Sequence, residues 1–203
     1  DYSAELAKPT GLPDLVLGKA DAPVTIHEYA SMTCSHCAEF HTKVLPELKK
    51  KYIETGKVKL YMREFPLDNL AAAALMLARC AGGDKTYEMI TGLFAHQEDW
   101  AFVQGNPLPA LLKFAGGYGF DQTSFDKCLT DQAMLDKITE VRDFANKSLQ
   151  VRATPTFFIN GREFVGAQPF EQFKTMIDEE IKQADALLKS GTAPADIYKK
   201  RAQ

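Results

Sequence analysis

Apolar and polar positions change their period along the chain, and the changes divide it into strand-like ends and a helical middle. Positions 24–30 read as a buried strand, with Val24, Ile26 and Glu28 on one face by the period of two. Val58, Leu60, Met62 and Glu64 alternate with Lys59, Tyr61, Arg63 and Phe65, which predicts a second strand closed by Pro66. The short apolar run 14–18 is an expected edge strand. Between these lies helical spacing from position 34 to about 55, with Cys37, Phe40, Val44 and Leu48 on one face. Thr33 is the predicted N-cap of this helix, Pro46 its kink or restart, and Gly56 its end.

From 67 to 149 the signals are helical almost throughout. Residues 70–80 form a strong helix former, broken at Gly82, Gly83 and Asp84. A second helix is expected over 85–97. A third opens at Pro107 and Pro109 and stops at Gly116, Asp121 caps a fourth over 125–129, and Asp131 caps a fifth that runs to about 149. The pattern then reverts. Residues 156–159 predict a strand, Asn160-Gly161 a hairpin turn, and 163–166 the return strand. Phe170, Phe173, Ile177, Ile181, Ala184 and Leu188 make one stripe of a closing helix that Gly191 ends. Residues 1–13, with Pro9, Gly11 and Pro13, read as an extended arm, and 192–203 as a tail. The expected architecture is α/β. A sheet domain is built from 1–65 and 150–191, a helical insertion fills 66–149, and the tail follows.

Composition narrows the function. A chain of 203 residues can bury a full core, and 45% hydrophobic with 25% charged residues is ordinary for a globular domain. The net charge of −3 argues against a nucleic-acid partner, and the basic run Lys49-Lys50-Lys51 reads as a solvated helix face. No apolar stretch reaches the length of a membrane span. No signal peptide is visible, and the start at Asp1 without a Met predicts a processed or trimmed end.

The candidate chemistry centres on Cys34-Ser35-His36-Cys37. Such a pair is a redox signature or half of a metal site. Cys34 falls at a helix start, where free N–H groups and the helix dipole favour a thiolate. Cys37, one turn on, is the more buried sulfur. A zinc set of Cys34, His36, Cys37 and His41 is conceivable, but structural zinc sites usually draw ligand pairs from separate segments, so no metal is expected. Glu28 is either a strand-end carboxylate or, by its phase, a buried group beneath the site that relays the proton of Cys37. His36 is a helix-surface residue or a donor that stabilises the Cys34 thiolate. His27, His41 and His96 carry no expected role. Phe94, Trp100 and Phe114 are expected in the core of the insertion.

Glu28 six residues before Cys34, the Cys34–Cys37 pair, the insertion from Pro66, and Thr154-Pro155-Thr156-Phe157-Phe158-Ile159-Asn160-Gly161 together carry a resemblance. Over residues 14–189 the chain resembles the DsbA-like branch of the thioredoxin superfamily. That resemblance implies a thioredoxin-like mixed sheet with an inserted helical domain. It implies a thiol:disulfide oxidoreductase that donates the Cys34–Cys37 disulfide to exported, reduced polypeptides and needs no bound cofactor. It implies a cis Thr154–Pro155 bond opposite the cysteines, with both residues binding substrate. A membrane reoxidant similar to DsbB, a periplasmic or otherwise exported location and a monomeric state follow in the same way. Ser35 stands where many members have proline and tunes redox poise. Thr154 stands where oxidases of the family carry valine and isomerase-like relatives also carry threonine. An isomerase or reductase is therefore one alternative, and a peptide-binding or chaperone-like module with a structural Cys pair is another. The short arm before the first strand leaves no room for an isomerase's N-terminal oligomerisation module, which favours the oxidase. Cys80 and Cys128 are two buried thiols or a structural disulfide across the insertion, and an oxidising compartment favours the bridge.

Overall fold

The computed structural model describes residues 2–201 of the chain. Its sheet is mixed, with five strands among the described residues, β1 (Leu15–Leu17), β2 (Val24–Ala30), β3 (Val58–Glu64), β4 (Thr156–Ile159) and β5 (Arg162–Val165), in the order β1-β3-β2-β4-β5. The central strand β2 (Val24–Ala30) is buried along its whole length. It pairs in parallel with β3 (Val58–Glu64) and antiparallel with β4 (Thr156–Ile159). The outer strands β1 (Leu15–Leu17) and β5 (Arg162–Val165) are antiparallel to their neighbours. The β4–β5 hairpin turns at Asn160 and Gly161, whose φ values of 46° and 81° are those a two-residue turn with two left-handed positions demands. The Asn160 side chain also accepts from Thr25 N–H at 2.8 Å, which ties the turn back to β2. The return strand starts one residue earlier than the expected 163, because Arg162 pairs with Ile159 directly.

One face of the sheet carries Val24, Ile26, Val58, Leu60, Phe157 and Ile159. Against it pack the segment after Cys34 and the closing helix Phe170–Lys189. The aromatic rings of Phe40, Phe157, Phe164 and Phe173 meet there with centroids 4.6–6.5 Å apart. The expected stripe on the closing helix is modified: Ile181 and Leu188 are half-buried, whereas Glu180 is fully buried and held by Arg162 and Arg201.

The expected single helix from 34 to about 55 is four linked pieces. The α-helical Ser35–Glu39 and Leu45–Leu48 alternate with π-helical Phe40–Val44 and Lys49–Ile53. Pro46 has no N–H to continue a regular ladder, and Leu45 N–H reaches back to Phe40 O, five residues away. The departure from a regular helix thus has two elements, the proline and the widened turns.

Between β3 and β4 runs a helical block: Asn69–Ala81, Asp84–Ala95, Gln97–Trp100, Leu108–Gly116, Gln122–Leu129 and Gln132–Ser148. Asp68, Asp121 and Asp131 cap three of these helices through their side chains. The expected helix 85–97 ends at Ala95, and a separate turn beginning at Gln97 follows. Phe94 and Trp100 are core residues, and Phe114 is half-buried. The block shares one apolar cluster with Ala30, Met32, Cys34, Cys37 and Met62 at the end of the sheet. Cys80 and Cys128 are joined as a disulfide within the block.

Both ends of the chain fold back. The expected extended arm contains a helical turn at Ser3–Leu6, whose Leu6 is fully buried. The expected tail contains a 3-10 turn at Pro194–Asp196 and a helix at Ile197–Arg201, whose Ile197 and Tyr198 are buried. A few apolar side chains in a polar segment suffice once the second sheet face is there to receive them. Asp1, Ala202 and Gln203 lie outside the described residues. No helix among the described residues is long and apolar enough to cross a membrane.

Two stability outcomes follow. Phe173→Ala removes a fully buried ring from the aromatic cluster and should lower unfolding free energy in urea by about 3–5 kcal/mol. Replacing both Cys80 and Cys128 by alanine releases a closure across 48 residues, and chain entropy puts the loss at up to about 4 kcal/mol. Unchanged urea midpoints would contradict both assignments.

Candidate active site

β2 delivers the chain to the end of the sheet, and Cys34 begins the helix there. Cys34, not Thr33, is the N-cap: its backbone is extended at φ −85° and ψ 115°. Its Sγ accepts a hydrogen bond from Cys37 N–H at 3.1 Å. The Thr33 hydroxyl donates instead to Asp68 at 2.9 Å, linking the site loop to the cap of the first insertion helix. Both cysteines are free, and both are largely buried, with Cys34 8% exposed and Cys37 fully covered. The nucleophile candidate is therefore the more accessible sulfur of the two without standing out into solvent.

The two thiols are driven apart electrostatically. The hydrogen bond from the Cys37 thiol is the largest influence on Cys34 and lowers its pKa from an ordinary 9.0 to about 6, against the opposing effect of burial. The Thr154 hydroxyl, buried and otherwise without a partner, lowers it further, as do the backbone N–H groups of Cys37 and His36. Burial pushes the Cys37 thiol well up, and the neighbouring Cys34 and Glu28 charges add to this. A pair so arranged holds one thiolate and one thiol near neutral pH, the state needed for thiol–disulfide exchange.

The remaining candidates fall into two groups. Thr154 and Pro155 lie opposite Cys34, whose Sγ is 3.5 Å from Thr154 O, and the Thr154–Pro155 peptide is cis. Glu28 is fully buried on the face of β2 that carries Val24 and Ile26. Ser35 is exposed and borders a cleft of about 430 Å³ lined also by Ala38, Thr42, Phe94, His96 and Glu98. His36 is not brought to Cys34 through its ring. That ring is 72% exposed and lies 3.5 Å from Glu39, so only its backbone N–H acts on the sulfur. Cys34, His36, Cys37 and His41 do not converge as four ligands.

Two residues without an expected role are built into the site. His41, read from sequence as ordinary, is buried with Nε2 at 2.8 and 2.9 Å from the two Glu28 oxygens. Its ring stacks on Phe94 with centroids 4.4 Å apart. The signal was present in the spacing: His41 is one helical turn beyond Cys37 and shares its face. Gln97 is buried, and its Nε2 donates to Met32 O at 2.7 Å and to Cys34 O at 3.1 Å. No local pattern marks a glutamine for that task. His27 is also buried, stacked on Tyr61 on the opposite sheet face, and burial holds its pKa well below the usual range.

Known proteins agree with this geometry. A family profile described as thioredoxin matches residues 10–179. The crystal structure of Wolbachia pipientis alpha-DsbA1 superposes with a TM-score of 0.82 at 33% identity, covering 92% of this chain and 99% of that one. A Bacillus cereus protein named for disulfide bond formation (protein D) is 30% identical over 175 residues, or 82% of this chain and 78% of that protein. A Rickettsia conorii protein named as a protein-disulfide oxidoreductase is 34% identical over 176 residues, covering 84% of this chain. The chain spans 61% of the length of that Rickettsia relative. The chain belongs to the thioredoxin family, in its DsbA-like branch.

The thiolate can be titrated. Ultraviolet thiolate absorbance of the reduced protein should rise with a midpoint near pH 6, and a midpoint near 9.0 would remove the asymmetry. Because the folded pKa of Cys34 is the depressed one, its stabilisation of the reduced fold is complete above the unfolded value of 9.0 and is lost as pH falls through about 6. Denaturation of reduced and oxidised protein across that window should show the reduced form losing its advantage on the acid side.

Proposed function

We propose that the chain is a protein thiol:disulfide oxidoreductase that donates the Cys34–Cys37 disulfide to reduced polypeptides. The observation that carries this reading is the split between the two sulfurs, one lowered to about 6 and one raised. A client thiolate attacks Cys34 Sγ, the S–S bond breaks, and its electron pair leaves on Cys37. The client's second thiolate then attacks the client sulfur of the mixed disulfide and expels Cys34 as thiolate. The client is oxidised by two electrons and the enzyme pair is reduced. A leaving thiol of low pKa speeds the second step, and a stabilised reduced form makes the disulfide more oxidising. This favours a disulfide oxidase over an isomerase.

Thr154 and Pro155 receive the client's backbone beside Cys34 by strand addition, and Ser35 sets the redox poise. The Cys80–Cys128 disulfide supports work in an oxidising, exported compartment such as the periplasm. Reoxidation falls to a membrane protein similar to DsbB, and the chain acts as a monomer on reduced, unfolded clients. Residues 66–149 form a helical insertion that offers one platform beside one Cys pair.

Cys34→Ser should abolish exchange, and Cys37→Ser should accumulate mixed disulfides visible by mass spectrometry. The deciding comparison is oxidation of a reduced test protein against reactivation of a scrambled one. Fast oxidation with poor reactivation is expected. Efficient reactivation with slow oxidation would assign an isomerase, and a reduced Cys34 that resists alkylation would assign a binding module.

A further inference from the structure

We propose that the two chain ends form one clasp over the second sheet face, and that His27 beneath it is the proton sensor that releases the clasp in acid. The proposal goes beyond the disulfide-exchange reading and uses none of its residues. On that face β2 and β3, paired in register, set His27, Tyr29, Lys59, Tyr61 and Arg63 side by side. The cover over them is thin. The turn at Ser3–Leu6 and the helix at Ile197–Arg201 pack against each other, and Leu6 and Tyr198 join one apolar cluster with Tyr29 and Phe158. Helices of four and five residues do not persist alone in water, so docking is what keeps these two folded. Segments of this kind open before the rest of a fold does.

The layer beneath the clasp holds bases and no acid to pair with them. Lys59 and Arg63 are buried, and neither has an ion-pair partner among the described residues. Arg63 donates to the Tyr29 hydroxyl at 3.1 Å and to Leu6 O at 3.0 Å, so one of its bonds is to the clasp itself. Arg63 Nε and His27 Nδ1 are buried without a hydrogen-bond partner among the described residues. The His27 ring has Tyr61 at 5.0 Å on β3 and Tyr198 at 5.2 Å on the C-terminal helix. The groups that face it are Lys59, Tyr61 and Arg63 from β3, Tyr29 from its own strand and Tyr198 from the clasp, while β4 sets the uncharged Phe158 opposite it. Asp14, Asp21, Asp196 and Lys199 act on Lys59 and Tyr61 from the exposed rim. A proton on His27 would be a third buried positive charge in this layer. Water relieves such a charge, and the clasp is what keeps water out.

Burial first, then the Arg63 and Lys59 charges, hold the docked His27 well below the ordinary 6.5. With the clasp open the ring returns toward that value. Docking is therefore at full strength above pH 6.5 and weakens as pH falls below it, by about tenfold per unit until the docked value is reached. A second acid-sensitive contact sits on the same helix, where Arg201 bonds the buried Glu180 at 2.7 and 2.9 Å. Its loss requires protonation of a carboxylate and does not pass through His27, so variants at His27 separate the two.

The test is an NMR titration of the isotope-labelled full chain from about pH 7.5 to about pH 4.5, which spans the ordinary histidine range. It follows the backbone amides of both end segments and the ring of His27. Both segments should be ordered at the neutral end and move together to random-coil shifts on the acid side, with the sheet unchanged. His27→Phe, which keeps an aromatic ring against Tyr61 and Tyr198 but takes no proton, should hold both ends down through the same range. Tyr198→Ala should open the clasp at neutral pH and bring the His27 titration back toward 6.5, and it carries the test if His27→Phe fails to fold. Ends that stay docked throughout, release of one end without the other, or loss of the whole fold ahead of the ends would overturn the proposal. So would a His27→Phe protein that releases as the parent does, or a His27 that titrates no nearer 6.5 in Tyr198→Ala.

Discussion

The first turn of a helix leaves N–H groups without partners, and here the acceptor they find is the sulfur of Cys34. Much of the rest follows from that hydrogen bond. A thiolate is the best form of this cap, because charge strengthens the bond and suits the positive end of the helix. Protonation weakens the cap, and disulfide formation removes the charge altogether. The same contact therefore couples three quantities that are separate in a free dithiol: thiol acidity, stability of the reduced fold, and redox poise.

The scaffold around the cap is arranged to hold that sulfur still. β2 is paired on both sides and buried throughout, so the loop that follows it starts from a fixed point. Gln97 reaches from the helical block to the carbonyls of Met32 and Cys34 and satisfies backbone groups that the turn into the helix would otherwise leave bare. Thr33 and Asp68 tie the same loop to the first helix of the block. The block thus reaches the site through hydrogen bonds as well as through the apolar cluster it shares with Cys34 and Cys37.

Local periodicity made the strands, the hairpin, most helices and the Cys pair legible, because each depends on neighbours within a few residues. What stayed hidden depends on partners far along the chain. Gln97 meets the site across 63 residues, and nothing beside it announces this. His41 sat on the correct face to be noticed, but its meaning depends on Glu28, which arrives from another element. His36 could be read either as a helix-surface residue or as a thiolate donor; its ring is exposed near Glu39, three residues on, and only its backbone N–H acts on the sulfur. The π-helical turns have Pro46 as their one local sign. The folded ends were hidden because Leu6, Ile197 and Tyr198 stand among polar residues, and a moment of amphipathicity needs more than one or two apolar positions.

The alternation of β2 carries a further constraint that is electrostatic rather than apolar. Glu28 points to the face with Val24 and Ile26, whereas His27 and Tyr29 point to the other. On that second face the neighbouring strand buries Lys59 and Arg63, which donate to Ala20 O, Leu6 O and the Tyr29 hydroxyl and have no ion-pair partner among the described residues. Their charges, after burial, help keep His27 neutral. One strand pair therefore separates a buried carboxylate from buried cations by the thickness of a sheet. A slip of one residue in β2 would turn Glu28 away from His41 and bring His27 to that face, so this buried partnership would fail. The burial of Glu28 is costly on its own, and that register is what sets its carboxylate against His41, whose ring nitrogen offsets part of the cost.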